Sequence, residues 1–279
     1  MSRNSESAGV QRLRRIEGRH NALVKELRLA FAHGALTKAG DCAIEGVRMV
    51  EEAIRSGLRF HAIFFRESAQ NLAERLLPQI AAQVETLLLP DKLFDSAMPS
   101  ETPQGVAALV RLRKFSFEDL IERLAVGPVV VAAGLQDPGN LGTLLRSAEA
   151  FGSAGVVLGE GTVSRFNSKV IRASAGSAFR LPLVAAQDEG VERVCEKLRE
   201  SGARLAATSS HKGEAIDRAD LAGPLAIVIG SEGAGVPQSL MARMDATLAI
   251  PHSENVESLN AGIAASIVLY EAARQRRAK

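Results

Sequence analysis

Three short stretches hold the residues best placed for chemistry. In "VVVAAGLQDPGNLGTLLRSAEAFG" (129–152) an apolar strand pattern runs into a glycine-bearing loop and then a helix pattern containing Asn140, Gly142 and Arg146. In "LAIVIGSEGAGVP" (225–237) an apolar strand pattern ends in Gly230, Ser231, Glu232, Gly233 and Gly235. In "LAIPHSENVESLNAGIAASIVLYEAARQR" (248–276) Ile250 and Pro251 precede a polar loop, and Ser258, Leu259 and Asn260 open a helix rich in small residues. Strand, glycine loop and helix in that order is the usual way of holding a phosphate or nucleotide. The spacing argues otherwise. A dinucleotide fingerprint needs glycines at the first, third and sixth places, whereas Gly134, Gly139 and Gly142 are five and three apart. A P-loop ends in Gly-Lys-Ser/Thr, and here Thr143 and Leu144 follow Gly142.

What the first stretch does offer is Asn140 as a helix N-cap and Arg146 on the face opposite Leu141, Leu144, Leu145, Ala148 and Phe151. Gly142 lies one turn before Arg146 and leaves room beside the guanidinium. Taken alone, the segment is also open to a plainer reading, a capping Asn with a solvated Arg. Glycines at a strand's carboxyl end let backbone approach a ligand, and Glu232 among them is a lone acceptor. Ser258 reads as the cap of the last helix, expected from about 258 to 276.

These residues need a scaffold. After Pro128 the patterns "VVVAAG", "GVVLG", "LPLVAA", "RLAATS", "LAIVIG" and "TLAIP" are apolar without alternation, as in strands covered on both faces. Helical patterns lie between them at 140–151, 167–178 and 189–201. The fold class expected is α/β, with a mostly parallel sheet flanked by helices on both faces. The preceding part, with the helix pattern "NALVKELRLAFAHG" and strand patterns "DCAIEG", "FHAIFF", "VETLLL" and "GVAALVRL", reads as a small α/β layer of about a hundred residues. The boundaries expected are 10–112 for this domain, 113–127 for a linker and 128–279 for the second domain.

Bulk properties narrow the partners. The net charge is +2, yet residues 1–115 hold 17 Lys+Arg against 13 Asp+Glu, and the remainder 17 against 19. Arg3, Arg12, Arg14, Arg15, Arg19, Lys25 and Arg28 cluster at the front, a pattern suited to a polyanion such as nucleic acid, or to a solvated basic face. The two cysteines, Cys42 and Cys195, are far apart, which points to a reducing cytoplasm. No apolar run has membrane-spanning length, and the N-terminus lacks the apolar core of a signal peptide. The histidines, His20, His33, His61, His211 and His252, form no spaced cluster, so no metal is expected.

Together the three stretches resemble the motifs of the SpoU (TrmH-type) RNA 2′-O-ribose methyltransferases of the SPOUT superfamily. Asn140, Gly142 and Arg146 fit the first motif, Gly230, Ser231, Glu232 and Gly235 the second, and Ile250, Pro251, Ser258, Leu259 and Asn260 the third. "VIRASAGSAFRLPL" (170–183) resembles the connecting helix and strand, and the front of the chain is similar to the family's small substrate-binding domain. The resemblance implies a deep C-terminal trefoil knot, S-adenosylmethionine as cofactor, RNA as substrate and a homodimer. It implies catalytic roles for Arg146, Asn140, Glu232, Ser258 and Asn260, and cofactor contacts from Thr208, Gly230, Glu232, Gly235, Ile250 and Leu259. RNA would meet Arg146 and the basic residues Arg12, Arg14, Arg15, Arg19 and Lys25. In that frame Arg146 binds phosphate and hydroxyl and stabilises a developing alkoxide, and Glu232 positions Arg146 or groups of the cofactor site. The reading that follows is a ribose 2′-O-methyltransferase acting on ribosomal RNA. Its alternatives are a non-catalytic RNA-binding protein of the same fold, or an enzyme directed at tRNA. One departure stands out: His252, Ser253 and Glu254 occupy a loop where many relatives carry Met and Gly or Gly alone.

Overall fold

The computed structural model describes residues 12–186, 189–210 and 212–278. Arg3 and His211 lie outside the described residues. The chain forms two compact units. One comprises the described residues up to Arg113 together with Ser164–Phe179; the other comprises Lys114–Val163 and the chain from Arg180 onward.

In the first unit, strands β1 (Arg14–Arg15), β2 (Cys42–Glu45), β3 (Arg59–Arg66), β4 (Glu85–Leu89) and β5 (Val106–Arg111) form a mixed sheet in the order β1-β4-β3-β5-β2. β1 and β3 run parallel to β4, while β5 runs antiparallel to both β3 and β2. The helices are α1 (Ala22–His33), α2 (Val47–Arg55), α3 (Gln70–Leu76) and α4 (Asp91–Asp95). α1 begins at Asn21, whose side chain accepts from the amides of Leu23 and Val24, and stops at Gly34, which takes the left-handed conformation at φ 55°. Phe64, Leu87, Phe94 and Leu109 centre this unit's core. Buried Asp41 accepts from the Arg111 guanidinium at 2.8 Å and meets His61 Nδ1 at 2.7 Å, which satisfies a carboxylate that burial would otherwise penalise.

The segment expected as a linker contains α5 (Phe117–Glu122), opened by a capping box in which Ser116 and Asp119 bond reciprocally. Its Leu120 is fully buried in the second unit's core, beside Val129, Val131, Leu205 and Val228. There follow β6 (Val129–Ala133), α6 (Pro138–Ala150), β7 (Gly155–Leu158), α7 (Ser168–Ala173), α8 (Ser177–Arg180), β8 (Leu183–Ala185) and α9 (Gly190–Glu200). The chain closes with β9 (Arg204–Ser209), β10 (Glu214–Ala215), β11 (Leu225–Gly230), α10 (Gln238–Met241), β12 (Ala246–Ala249) and α11 (Ala261–Ala278). The seven strands β6 to β12 make one sheet in the order β10-β12-β9-β11-β6-β7-β8, and every pairing is parallel. The α/β class expected from the unbroken apolar runs is therefore the one observed.

Two helices differ from expectation. The pattern at 167–178 is interrupted, because Ala175 and Gly176 adopt positive φ (50° and 92°) and separate α7 from α8. The last helix starts at Ala261, not near 258.

Candidate active site

In a doubly wound sheet, ligands bind beyond the carboxyl ends of strands where the order reverses. Here β7 and β8 extend from β6 to one side, and β11, β9 and β12 to the other. Register brings three strand ends together. Val228 lies opposite Ala207, and Ala249 opposite Ser209, so Thr208, Gly230 and Ile250 emerge side by side. A cavity of about 620 Å³ opens there, within the range of sites that enclose a small molecule. All six residues expected to contact a cofactor, Thr208, Gly230, Glu232, Gly235, Ile250 and Leu259, line it, together with Ser258. His252, singled out in the sequence, also lines it, as do Ser209, Ser210, Met241 and Glu257, for which residue spacing offers no signal.

The loop after β11 is closed by a reciprocal pair: Ser231 N donates to Gly235 O (3.2 Å) and Gly235 N to Ser231 O (3.0 Å). Gly235 takes φ 65°, which favours glycine. Gly230 is required for another reason. A Cβ there would stand 2.1 Å from Gly235 C and 2.3 Å from Val236 N, inside backbone that has no side-chain slack.

At the start of α6 the sequence expectation needs correction. The N-cap is Asp137, whose carboxylate accepts from Asn140 N at 2.8 Å, with Pro138 in the first turn. Proline's fixed φ and missing amide suit that place, so the helix starts two residues before Asn140. The Asp-Pro pair is itself a start signal that sequence reading could have used. Freed from capping, buried Asn140 turns its amide to two distant residues. Its Nδ2 donates to Glu232 Oε1 (2.5 Å), and its Oδ1 accepts from Asn260 Nδ2 (2.7 Å). Asn260 in turn caps α11, its Oδ1 accepting from Ile263 N at 3.1 Å. Asn260 thus takes the role expected of Ser258, which stays in the loop on the cavity wall.

The slim start of α11 has a packing cause: a Cβ at Gly262 would meet Thr143 Cβ at 3.1 Å and Asn140 O at 3.2 Å. One turn on, the Ser266 hydroxyl donates to Gly262 O (2.7 Å) and lies 2.7 Å from that of Ser147 on α6.

Asn140, Glu232 and Asn260 are thus linked, and Glu232 serves Asn140. Arg146 is not in that network; it is exposed and, among the described residues, its side chain makes no hydrogen bond or ion pair. Of the front basic residues, Arg12 donates to the carbonyls of Leu77, Ile80 and Ala81, Arg14 pairs with Glu85 at 3.0 Å and Arg15 with Glu67 at 2.9 Å. Arg19 and Lys25 are exposed and without a partner among the described residues. Burial raises the Cys42 thiol to about 12 and the Cys195 thiol to about 11, so neither serves as a nucleophile at neutral pH. Among the described residues no cluster of His, Cys, Asp or Glu could hold a metal ion, and no helix is long and apolar enough to cross a membrane.

The cavity's chemistry selects its ligand. Among the described residues Glu232 and Glu257 are its carboxylates, and no Lys or Arg lines it. A phosphate would find no counter-charge there, whereas a nucleoside carrying a cationic centre fits.

Residues 127–270 match the model of the SpoU rRNA Methylase family. The chain belongs to that family. In this SpoU methylase, residues 21–108 also match the MRM3-like substrate binding domain. The 23S rRNA (guanosine(2553)-2'-O)-methyltransferase RlmP of Bacillus subtilis is 30% identical over 259 residues, spanning 92% of this chain and 98% of its own. Among solved structures, the AdoMet-bound rRNA methyltransferase from Sinorhizobium meliloti superposes with a TM-score of 0.76 at 26% identity, over 94% of this chain and 98% of that one. AviRb from Streptomyces viridochromogenes, solved in complex with AdoMet, gives 0.76 at 27% identity over 93% and 100%. The resemblance read from the three motifs is borne out.

Proposed function

We propose that this chain transfers a methyl group from S-adenosylmethionine to a ribose 2′-hydroxyl of RNA, and specifically of ribosomal RNA. The observation that carries the reading is the cation-tolerant cavity at the ends of β9, β11 and β12, coupled through Glu232, Asn140 and Asn260 to the helix that bears a free Arg146. The relatives' named substrates support the choice of ribosomal RNA over tRNA.

The bound cofactor supplies a methyl group on a sulfonium centre. Backbone groups of Gly230, Ile250 and Leu259 hold its adenine and ribose, and Thr208, Gly235 and Ser258 complete the walls. Glu232 and Asn260 fix the Asn140 amide, and with it the first turn of α6. Arg146 binds the RNA phosphate and stabilises charge developing on the 2′-oxygen. An unpartnered guanidinium is ready for that without breaking another contact.

The first unit is the RNA-binding domain, with Arg19 and Lys25 as its free cations and Arg14 and Arg15 as ion-paired ones. The protein works as a cytoplasmic homodimer through α11, where exposed Ile263 (48%) and Tyr270 (51%) lie seven residues apart on one face. The knotted path of the SPOUT fold, with α11 threaded through a loop, is part of the same proposal.

Titration calorimetry with S-adenosylmethionine and with NAD, and mapping of 2′-O-methyl positions in RNA from cells lacking the protein, test the reading. Arg146→Ala lowers transfer by about 10²–10³-fold while cofactor affinity stays within about twofold of wild type. Binding of NAD without S-adenosylmethionine, or full activity in Arg146→Ala, refutes it. Loss of RNA methylation nowhere, with RNA binding intact, indicates the non-catalytic alternative.

A further inference from the structure

Methylating a hydroxyl leaves one proton to be removed, and the proposed function gives it no destination. Arg146 is unsuited: a guanidinium stays protonated in proteins and has no acceptor. Three described side chains on the cavity wall can accept a proton, namely Glu232, Glu257 and His252. Glu232 is engaged by Asn140. Glu257 is exposed.

His252 differs in kind. It is half-buried, and its Nδ1 lies 2.6 Å from Ile250 O. A carbonyl only accepts, so Nδ1 carries the proton and donates it. In the neutral ring Nε2 is then left bare, with its lone pair available. Folding has therefore chosen the tautomer, because the backbone of the same turn holds the other nitrogen. Glu232, from the loop after β11, and Glu257, from the segment leading into α11, line the same cavity as His252, and Glu254 lies two residues on in its own loop. Among the described residues no Lys or Arg lines the cavity, so the charged side chains it shares with His252 are carboxylates.

Building on the proposed methyl transfer, we propose that His252 is a catalytic residue that accepts the proton of the target 2′-hydroxyl at Nε2. As the oxygen–methyl bond forms and the sulfur–methyl bond breaks, the oxygen–hydrogen bond breaks and its proton passes to Nε2. The positive charge leaves sulfur and reappears on the imidazolium, which returns the proton to solvent. Arg146 holds the phosphate and the developing oxyanion.

His252→Asn is the informative variant, because its amide nitrogen can replace Nδ1 as donor to Ile250 O while nothing replaces Nε2. We expect S-adenosylmethionine affinity by calorimetry within about twofold of wild type. Single-turnover transfer to ribosomal RNA should fall by about 10²–10⁴-fold, and the acid limb of the pH–rate profile should disappear. Nitrogen-15 NMR of the imidazoles in the wild-type protein, with S-adenosylmethionine present, should show His252 protonated at Nδ1 and bare at Nε2 near neutral pH. A His252→Asn protein with wild-type rate and pH profile overturns the proposal. So does a loss of cofactor affinity as large as the loss of rate, which marks a loop anchor, and so does an Nε2-protonated ring. Failure of wild-type protein to bind S-adenosylmethionine is a separate result, and it overturns the proposed function as well.

Discussion

Gly230→Ala is the sharpest perturbation of the cavity, since it adds one methyl group where the structure has no room. The new Cβ would fall 2.1 Å and 2.3 Å from Gly235 C and O, and 2.3 Å from Val236 N. All three are backbone atoms, so no rotamer change relieves the clash. The Gly235 carbonyl must retreat by roughly 1 Å or more to reach ordinary contact distance. That movement breaks the pair of hydrogen bonds between Ser231 and Gly235. Each is worth about 0.5–1.5 kcal/mol net, which gives about 1–3 kcal/mol in all. For a unit of this size, that corresponds to roughly 2–10 °C in melting temperature. The loop that displaces is a wall of the cavity, and a 1.4 kcal/mol change is tenfold in affinity; we expect S-adenosylmethionine binding to weaken by at least about tenfold. Differential scanning fluorimetry and calorimetry measure the two effects. Gly223→Ala is the control: a Cβ there meets nothing within 4 Å, its φ is not left-handed, and it lies away from the cavity. Wild-type cofactor affinity in Gly230→Ala would refute the assignment of this loop to the cofactor.

Two further predictions concern α11. Buried Glu271 is held below the ordinary glutamate value of 4.5, first by hydrogen bonds from Arg274 and then by Gln275. The ionised form is favoured by folding, so its contribution is present above 4.5 and is lost as pH falls through the depressed value. Glu271→Gln should flatten that part of the acid unfolding curve, and an unchanged curve counts against it. If α11 is the homodimer contact, Ile263→Glu or Tyr270→Arg should shift sedimentation from dimer to monomer without unfolding the chain. Dimers surviving both substitutions place the contact elsewhere.

The sequence by itself determined the main strands and the positions of most helices, though not where several of those helices begin or break. Short, β-branched apolar runs such as "VVVAA" and "LAIVIG" read as strands covered on both faces, and Gly34 stops α1 by local conformational preference. It also determined the three motifs, because residue type and short spacing carry them. Tertiary structure alone decided how they connect. Asn140 reads as a cap from its neighbours, yet its partners are 92 and 120 residues away in the chain. Those partners are set by how the parallel strands register and by how closely Gly262 lets α11 approach α6. Arg12, Arg14 and Arg15 look alike as a basic run, and only the fold assigns the first to three carbonyls and the others to carboxylates. The tautomer of His252 is likewise invisible in a loop sequence, since it depends on where the Ile250 carbonyl points. Local rules read propensity over a few residues. Hydrogen-bond partnership across a hundred residues exists only once the sheet has fixed both ends.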